Sequence, residues 1–207
     1  MKNASFAKLV VFVNSAVPLA LLAWDGSQHQ LGTNPINFAL RTLGMCALVF
    51  LMLTLAITPV RLITGWNFLS NVRRQLGLWA FAYGCLHLIL YYVFDQSMDI
   101  SSTISDVLKR KFIFFGMTSL LLMLPLALTS TTDSIKRLGA ARWKRLHQLV
   151  YLSAVAAATH FYFFVKADHR LPIAFICLLG ALLLYRAFNK QFAFLRRPRR
   201  TPRPAQA

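Results

Sequence analysis

Residues 75–94 read QLGLWAFAYGCLHLILYYVF. No charged side chain interrupts this run, and at about 1.5 Å per helical residue it reaches about 30 Å, the hydrocarbon thickness of a bilayer. Arg73 and Arg74 bound it on one side and Asp95 on the other. Such a stretch predicts a membrane-crossing helix, because a helix satisfies every backbone N–H and C=O within its own segment. Five further runs share the character, at residues 9–24, 42–60, 112–130, 148–165 and 171–185. The shorter ones span if their flanking residues snorkel. Together they predict an all-α fold, a six-helix transmembrane bundle.

The remaining residues are mostly consumed by connections. The chain has 207 residues, of which 57% are hydrophobic and 14% charged, which is too apolar for a soluble domain of this size. Residues 1–195 are read as one membrane domain. The tail at 196–207, RRPRRTPRPAQA, combines proline with repelling charge and is read as a basic, disordered cytoplasmic segment against anionic lipid. Docking of a cytosolic partner is the alternative there. No GxGxxG or P-loop signature occurs. The first apolar run ends in Trp24-Asp25-Gly26 rather than in a small-residue cleavage site, so it is read as a retained helix.

A net charge of +17 invites a nucleic-acid reading, but the charge is distributed as in a membrane protein. With the amino terminus in the cytoplasm, the inner connections carry Lys2, Lys8, Arg61, Arg73, Arg74, Lys136, Arg137, Arg142, Lys144, Arg145 and the basic residues from Arg186 to Arg203. The outer ones carry only Arg41, Lys109, Arg110, Lys111, Lys166 and Arg170. That asymmetry predicts both termini on the cytoplasmic side. It assigns the chain to lipid, with no nucleic-acid partner. The outer loop at 95–111 is electrically mixed and is a candidate surface for an outside partner.

Histidines carry the chemistry. His87 lies deep within the run at 75–94, and His147 and His160 bracket the run at 148–165. An imidazole at bilayer depth is costly unless it is ligated or hydrogen-bonded. His87 is fourteen residues above Arg73 and His160 thirteen above His147, climbs of about 21 and about 20 Å on an ideal helix. The two therefore match in depth on different helices, as needed to grip a haem iron from both sides. Bis-histidine ligation leaves no open iron position and suits electron transfer. The plain alternative is a hydrogen bond to a neighbouring helix. Cys46, Cys85 and Cys177 form no CxxC or CxxCH motif, so any haem is held non-covalently. His29 and His169 fall in outer loops and are read as solvated.

At the inner level His147 faces Arg73 or Arg74 on the third span. Arginine is a poor iron ligand but a good partner for a haem propionate. Either a second haem hangs on His147, or the second ligand there is unusual or exchangeable. A fourteen-residue step keeps Arg73 within about 40° of His87 around the helix, whereas thirteen residues separate His147 from His160 by about 140°. His147 can share their face only if its helix is distorted or still unformed at its start. Gly77 and Gly84 mark either close helix packing or close approach of a macrocycle. Trp79, Tyr83, Tyr91, Tyr92, Trp143 and Tyr151 are read as interfacial anchors or packing residues.

The run Arg73-Arg74-Gln75-Leu76-Gly77-Leu78-Trp79, followed by Leu86-His87-Leu88, resembles the third helix of the MsrQ (YedZ) family. The similarity continues through Ile57-Thr58-Pro59, Leu128-Thr129-Ser130-Thr131, Leu138-Gly139, Trp143, Leu146-His147, Val150-Tyr151-Leu152 and His160. These are haem-binding membrane subunits of a bacterial methionine-sulfoxide reductase system, within the wider group of ferric-reductase-like cytochromes. The resemblance implies b-type haem, one or two, on His87, His160 and His147, with Arg73 where the wider group carries a histidine. It also implies FMN at residues not identified. A bacterial inner-membrane location follows, with a periplasmic molybdenum-cofactor (molybdopterin) reductase, MsrP, as partner in repairing oxidised periplasmic proteins. Electrons would come from the quinone pool or a cytosolic flavin reductase.

Two other functions compete. A ferric or quinone reductase membrane subunit would need a separate flavoprotein, since no nucleotide-binding domain is present. A small transporter or assembly factor would use the histidines for protons or metal, but transport predicts acidic residues within the spans, and these runs contain none.

Overall fold

The computed structural model describes residues 2–195; residues 1 and 196–207, and with them the expected basic tail, lie outside the described residues. All regular elements among the described residues are helical. Long helices are α1 (Lys2–Ser27), α2 (Pro35–Thr64), α3 (Leu69–Leu90), α5 (Lys111–Leu128), α8 (Leu149–Phe164) and α9 (Arg170–Leu195). Shorter ones are α4 (Ile100–Lys109), α6 (Thr132–Leu138) and α7 (Ala140–Leu146), and a π-helical turn, Tyr91–Asp95, ends α3.

Every expected apolar run is helical, yet the membrane count differs by one. Five helical stretches are long and apolar enough to cross a bilayer: Ser5–Ser27, Pro35–Thr64, Leu69–Asp95, Lys111–Leu128 and Arg170–Asn189. The fifth run forms α8, with 16 residues, about 24 Å at 1.5 Å per residue. Its helix is short because the chain turns at His147 and Gln148 before it and becomes extended at Val165 after it. What α8 lacks in length it makes up in burial, with Ser153 and Ala154 fully enclosed.

Local signals set the ends. Asn34 caps α2 by accepting from the Asn37 N–H at 3.0 Å, with Pro35 at the first helical position, where a missing N–H costs nothing. Gly65 closes the same helix with φ 74°, a left-handed conformation that favours glycine. Thr131 caps α6 through the Ser134 N–H, and Gly139, at φ 75°, divides α6 from α7.

Two tight helix pairs dominate, α2 with α3 and α5 with α8. The second pair is held by small residues and reciprocal hydrogen bonds. The Ser119 hydroxyl donates to the Ser153 carbonyl at 2.9 Å, and the Ser153 hydroxyl to the Ser119 carbonyl at 3.1 Å. Alanines 154, 156 and 158 are buried on α8, as close backbone approach between membrane helices requires. Ser153→Ala removes one side of this clasp. It is expected to destabilise the protein by about 0.5–2 kcal/mol, measured by reversible unfolding in mixed micelles. α1 docks on α3 through Tyr83, whose buried hydroxyl donates to the Ser15 carbonyl at 2.7 Å, one turn before Pro18. The shared core runs through Leu51 and Leu55 of α2, Ala80 of α3, Met123 of α5, Ala154 of α8 and Leu179 of α9. Leu21, Leu121 and Leu184 face outward, more than half exposed, the arrangement of helices that meet lipid rather than water.

Both ends of the described chain lie at one end of the bundle. Gln75, at the start of α3, donates to the Lys8 carbonyl of α1 at 3.1 Å. Arg186, late in α9, reaches the late turns of α2 and the first turn of α8. Arg61, Arg73 and Arg74 gather at this basic end.

Candidate functional site

His87 and His160 come together inside the bundle. Their ring centres are 6.3 Å apart and the ring planes are nearly perpendicular, at 81°. Each is seated against the partner helix of its own pair. The Nδ1–H of His87, on α3, donates to the Leu40 carbonyl of α2 at 2.9 Å. That of His160, on α8, donates to the Phe112 carbonyl of α5 at 2.6 Å. A carbonyl oxygen can only accept, so the proton sits on Nδ1 and the lone pair on Nε2. Neither Nε2 has a hydrogen-bond partner among the described residues. The two imidazoles, each tied through Nδ1–H to a backbone carbonyl, thus present Nε2 atoms without a protein partner, with ring centres 6.3 Å apart. A histidine whose other nitrogen is tied to a backbone carbonyl is the usual second shell of a metal ligand.

The two seats are built alike. Gly44 follows Leu40 by one turn, and a Cβ there would stand 3.2 Å from the His87 ring. Gly116 follows Phe112 by one turn, and a Cβ there would stand 2.7 Å from Nδ1 of His160. Each imidazole lies against bare helix backbone, which only glycine allows. The sequence signal for these glycines is a repeated spacing, a carbonyl acceptor four residues before a glycine on the helix facing a histidine. The glycines singled out in the sequence, Gly77 and Gly84, lie at helix contacts: a Cβ on Gly77 would stand 3.7 Å from Thr54 of α2 and one on Gly84 3.0 Å from Leu120 of α5.

At the basic end, His147 lies just before α8, as the last residue capping α7. The thirteen-residue mismatch with His160 is therefore relieved, since the intervening backbone is a turn and not continuous helix. Its Nδ1–H donates to the Trp143 carbonyl at 3.2 Å, and its ring stacks on the Trp143 indole with centres 3.9 Å apart. Desolvation lowers its pKa below the ordinary histidine value, the backbone hydrogen bond opposes that shift, and the nearby Arg73 guanidinium adds to the lowering. A neutral imidazole, the form that ligates metal, is favoured. Arg73 is half-buried and Arg74 exposed, so Arg73 is the residue turned toward His147.

The aromatic residues are more engaged than interfacial anchoring requires. Besides Tyr83, Trp143 donates through Nε1 to the Thr129 carbonyl at 2.9 Å, Tyr91 donates to Asp106 at 2.9 Å, and Tyr151 accepts from Arg186. His29 is exposed, with φ 57°. His169 packs on Tyr162, with ring centres 5.0 Å apart, and neither approaches the paired histidines. In the connection between α3 and α5, Asp106 is the hub of a polar knot with Tyr91, Gln96 and Arg110.

Known proteins share this arrangement of residues over most of its length. A "Protein-methionine-sulfoxide reductase heme-binding subunit MsrQ" of Herminiimonas arsenicoxydans is 44% identical over 184 residues, covering 87% of this chain and 84% of the relative. The chain belongs to the MsrQ family. A like-named protein of Caulobacter vibrioides is 44% identical over 180 residues, covering 87% of this chain and 86% of its own. That of Deinococcus radiodurans is 40% identical over 196 residues, covering 95% and 93%. The broader family model "Ferric reductase like transmembrane component" matches residues 43–158. In this MsrQ family member, that match takes in His87 and His147 and ends two residues before His160.

Proposed function

We propose that the chain is a multi-pass bacterial inner-membrane b-type cytochrome that carries electrons outward to a periplasmic methionine-sulfoxide reductase. The observation that carries the reading is the spacing of the paired imidazoles. Iron–nitrogen bonds of about 2.0 Å, with each ring nitrogen about 1.1 Å from its ring centre, put two axial imidazoles roughly 6.2 Å apart. The rings of His87 and His160 stand 6.3 Å apart. Among the described residues no group of three or more His, Cys, Asp or Glu could hold a bare metal ion. Two axial donors alone suit a metal whose other ligands come from a macrocycle.

The residues fit haem, which when bound supplies a one-electron couple. His87 and His160 would hold it, and their carbonyl-bound Nδ1–H groups would fix the rings and raise their basicity. Both side chains are partly buried in the bundle. His147 would hold a second haem, with Arg73 toward its propionates. The FMN implied by the resemblance has no residues attached to it in this reading.

Six crossings, with α8 supplemented by its flanking turns, and both chain ends in the cytoplasm follow from the basic end facing inward. Residues 1–195 then form one haem-binding domain and 196–207 a cytoplasmic tail. Quinol, or a cytosolic flavin reductase, would reduce the inner haem. The periplasmic molybdenum-cofactor partner, MsrP, would take electrons from the outer one and perform the sulfoxide chemistry. The full-length protein in nanodiscs with the purified partner tests this. Quinol, or NADH with a flavin reductase, is expected to reduce the haem, and added methionine sulfoxide to reoxidise it only when the partner is present. Reduced haem that the partner and sulfoxide together leave reduced would overturn the assignment.

A further inference from the structure

Arg61, Arg73 and Arg186 lie at the basic end of the bundle with no salt bridge to a carboxylate among the described residues. Arg186 of α9 is drawn inward and spends three of its five N–H donors on neutral acceptors. It bonds to the Tyr151 hydroxyl on α8, the Leu55 carbonyl of α2 at 3.0 Å and the Thr58 hydroxyl of α2 at 2.8 Å. Its guanidinium also lies over the Tyr151 ring, 5.1 Å from the centre. The Nε–H is buried and has no partner. Arg73 lies within electrostatic reach of Arg186, Arg61 and Tyr151, and His147 within reach of Arg73.

Among the described residues no carboxylate reaches this cluster. The chain's acidic residues are six aspartates and no glutamate. Asp25, Asp95, Asp99, Asp106 and Asp168 belong to connections at the opposite end of the bundle, and Asp133 is exposed on α6 beside Lys136. Neighbouring guanidinium groups withdrawn from water repel one another and need a counter-charge. Here that charge must arrive with a ligand.

We propose that Arg186 and Arg73 form an oxyanion-binding site at the basic end, taking the carboxylate or phosphate oxygens of a membrane-borne ligand. The buried Nε–H of Arg186, a charged donor without a partner among the described residues, offers one charge-assisted hydrogen bond to such an oxygen. The anion has two possible sources, a propionate of the haem on His147 or the phosphate of an anionic phospholipid. The first rests on the function proposed above; the second does not.

The full chain, purified with its haem and reconstituted in nanodiscs of phosphatidylglycerol and phosphatidylcholine, is compared as wild type, Arg186→Gln and Arg186→Lys. Haem per protein, midpoint potential and co-purifying phospholipid phosphorus after delipidation are read for each. If the anion is a propionate, Arg186→Gln loses the inner haem or lowers its potential, because removing a positive charge stabilises the oxidised iron. If it is a lipid phosphate, haem and potential stay as in wild type and one equivalent of tightly held phosphorus is lost. Arg186→Lys keeps the charge and retains most of either signal. Equal losses in both variants would mean that Arg186 only ties α9 to α2 and α8, and would overturn the site, as would an unchanged Arg186→Gln protein. Arg73→Gln carries the same test if Arg186→Gln does not fold, since Arg73 makes no hydrogen bond among the described residues. The low-spin spectrum from His87 and His160 is the internal control. Its absence in wild type defeats the functional reading, and its presence beside an unresponsive Arg186→Gln defeats only the oxyanion site.

Discussion

His87→Ala and His160→Ala are each expected to abolish the low-spin b-type spectrum of the outer haem, read as the reduced-minus-oxidised difference in purified protein. Both residues are expected to matter equally because, on the function proposed above, their rings, 6.3 Å apart, would hold the haem together, with no third histidine near among the described residues. His29 is in an exposed outer loop, His169 is packed on Tyr162, and His147 is at the other end. Loss of one axial nitrogen removes the strong-field pair and opens the iron to water or oxygen. Haemochrome stoichiometry separates the two sites: either alanine variant keeps haem bound through His147, and His147→Ala keeps the outer spectrum. An intact low-spin signal in both His87→Ala and His160→Ala would end the assignment. Substituting the acceptor side cannot be done by side-chain change, since Leu40 and Phe112 contribute backbone carbonyls.

Gly116→Ala is expected to be the most damaging single methyl group that can be added to this chain. The new Cβ would lie 2.7 Å from Nδ1 of His160 and 3.0 Å from Cε1, so the imidazole must leave its seat or the α5–α8 pair must open. Neither gives way cheaply. The ring is anchored by the 2.6 Å bond to Phe112, and the helices are clasped by Ser119 and Ser153. Overpacking of this kind costs about 1–3 kcal/mol, and displacement of the ligand loses the haem as well. A graded series checks the cause. Gly44→Ala, at 3.2 Å from the His87 ring, should be milder. Gly77→Ala, at 3.7 Å from Thr54, should be close to neutral, and Gly180→Ala, with nothing within 4 Å, should be neutral or slightly stabilising. Thermal unfolding and haem retention are measured together. A Gly116→Ala protein with wild-type stability and spectrum would show that the seat is not built as described.

The Arg186 site bears on the same chemistry from the other end of the bundle. A haem at the basic end would meet a field of positive charge that favours the reduced state, whereas the paired histidines carry no charged neighbour within their seats. Electrons moving outward would then pass between sites whose potentials are set by different means, charge at one end and axial ligation with burial at the other.

Much of this was legible in the sequence because membrane helices announce themselves locally. Uncharged runs of bilayer length dictate helices wherever they occur, and the charge of the connections dictates sidedness, without knowledge of which helix touches which. His87 and His160 could be paired in depth from their distance along each span, since helical rise is fixed. The turn that brings His147 into register, by contrast, depends on how α7 and α8 pack. Gly44 and Gly116 looked like ordinary small residues of membrane helices until the partner helix was known. In the sequence Arg186 is only one of the basic residues that follow the last apolar run. It is drawn inward by the Tyr151 and Thr58 hydroxyls and the Leu55 carbonyl, acceptors more than thirty residues away along the chain.

Composition and periodicity alone determined that this chain is helical, lies in a membrane and carries histidines at a common depth, because those properties follow from transfer free energies and the rise of a single helix. Which backbone carbonyl fixes each imidazole, which glycine makes room for it and which arginine turns inward were decided only by the packing of α2 on α3 and α5 on α8. Those contacts join residues distant in sequence, and no local rule of hydropathy or spacing records them.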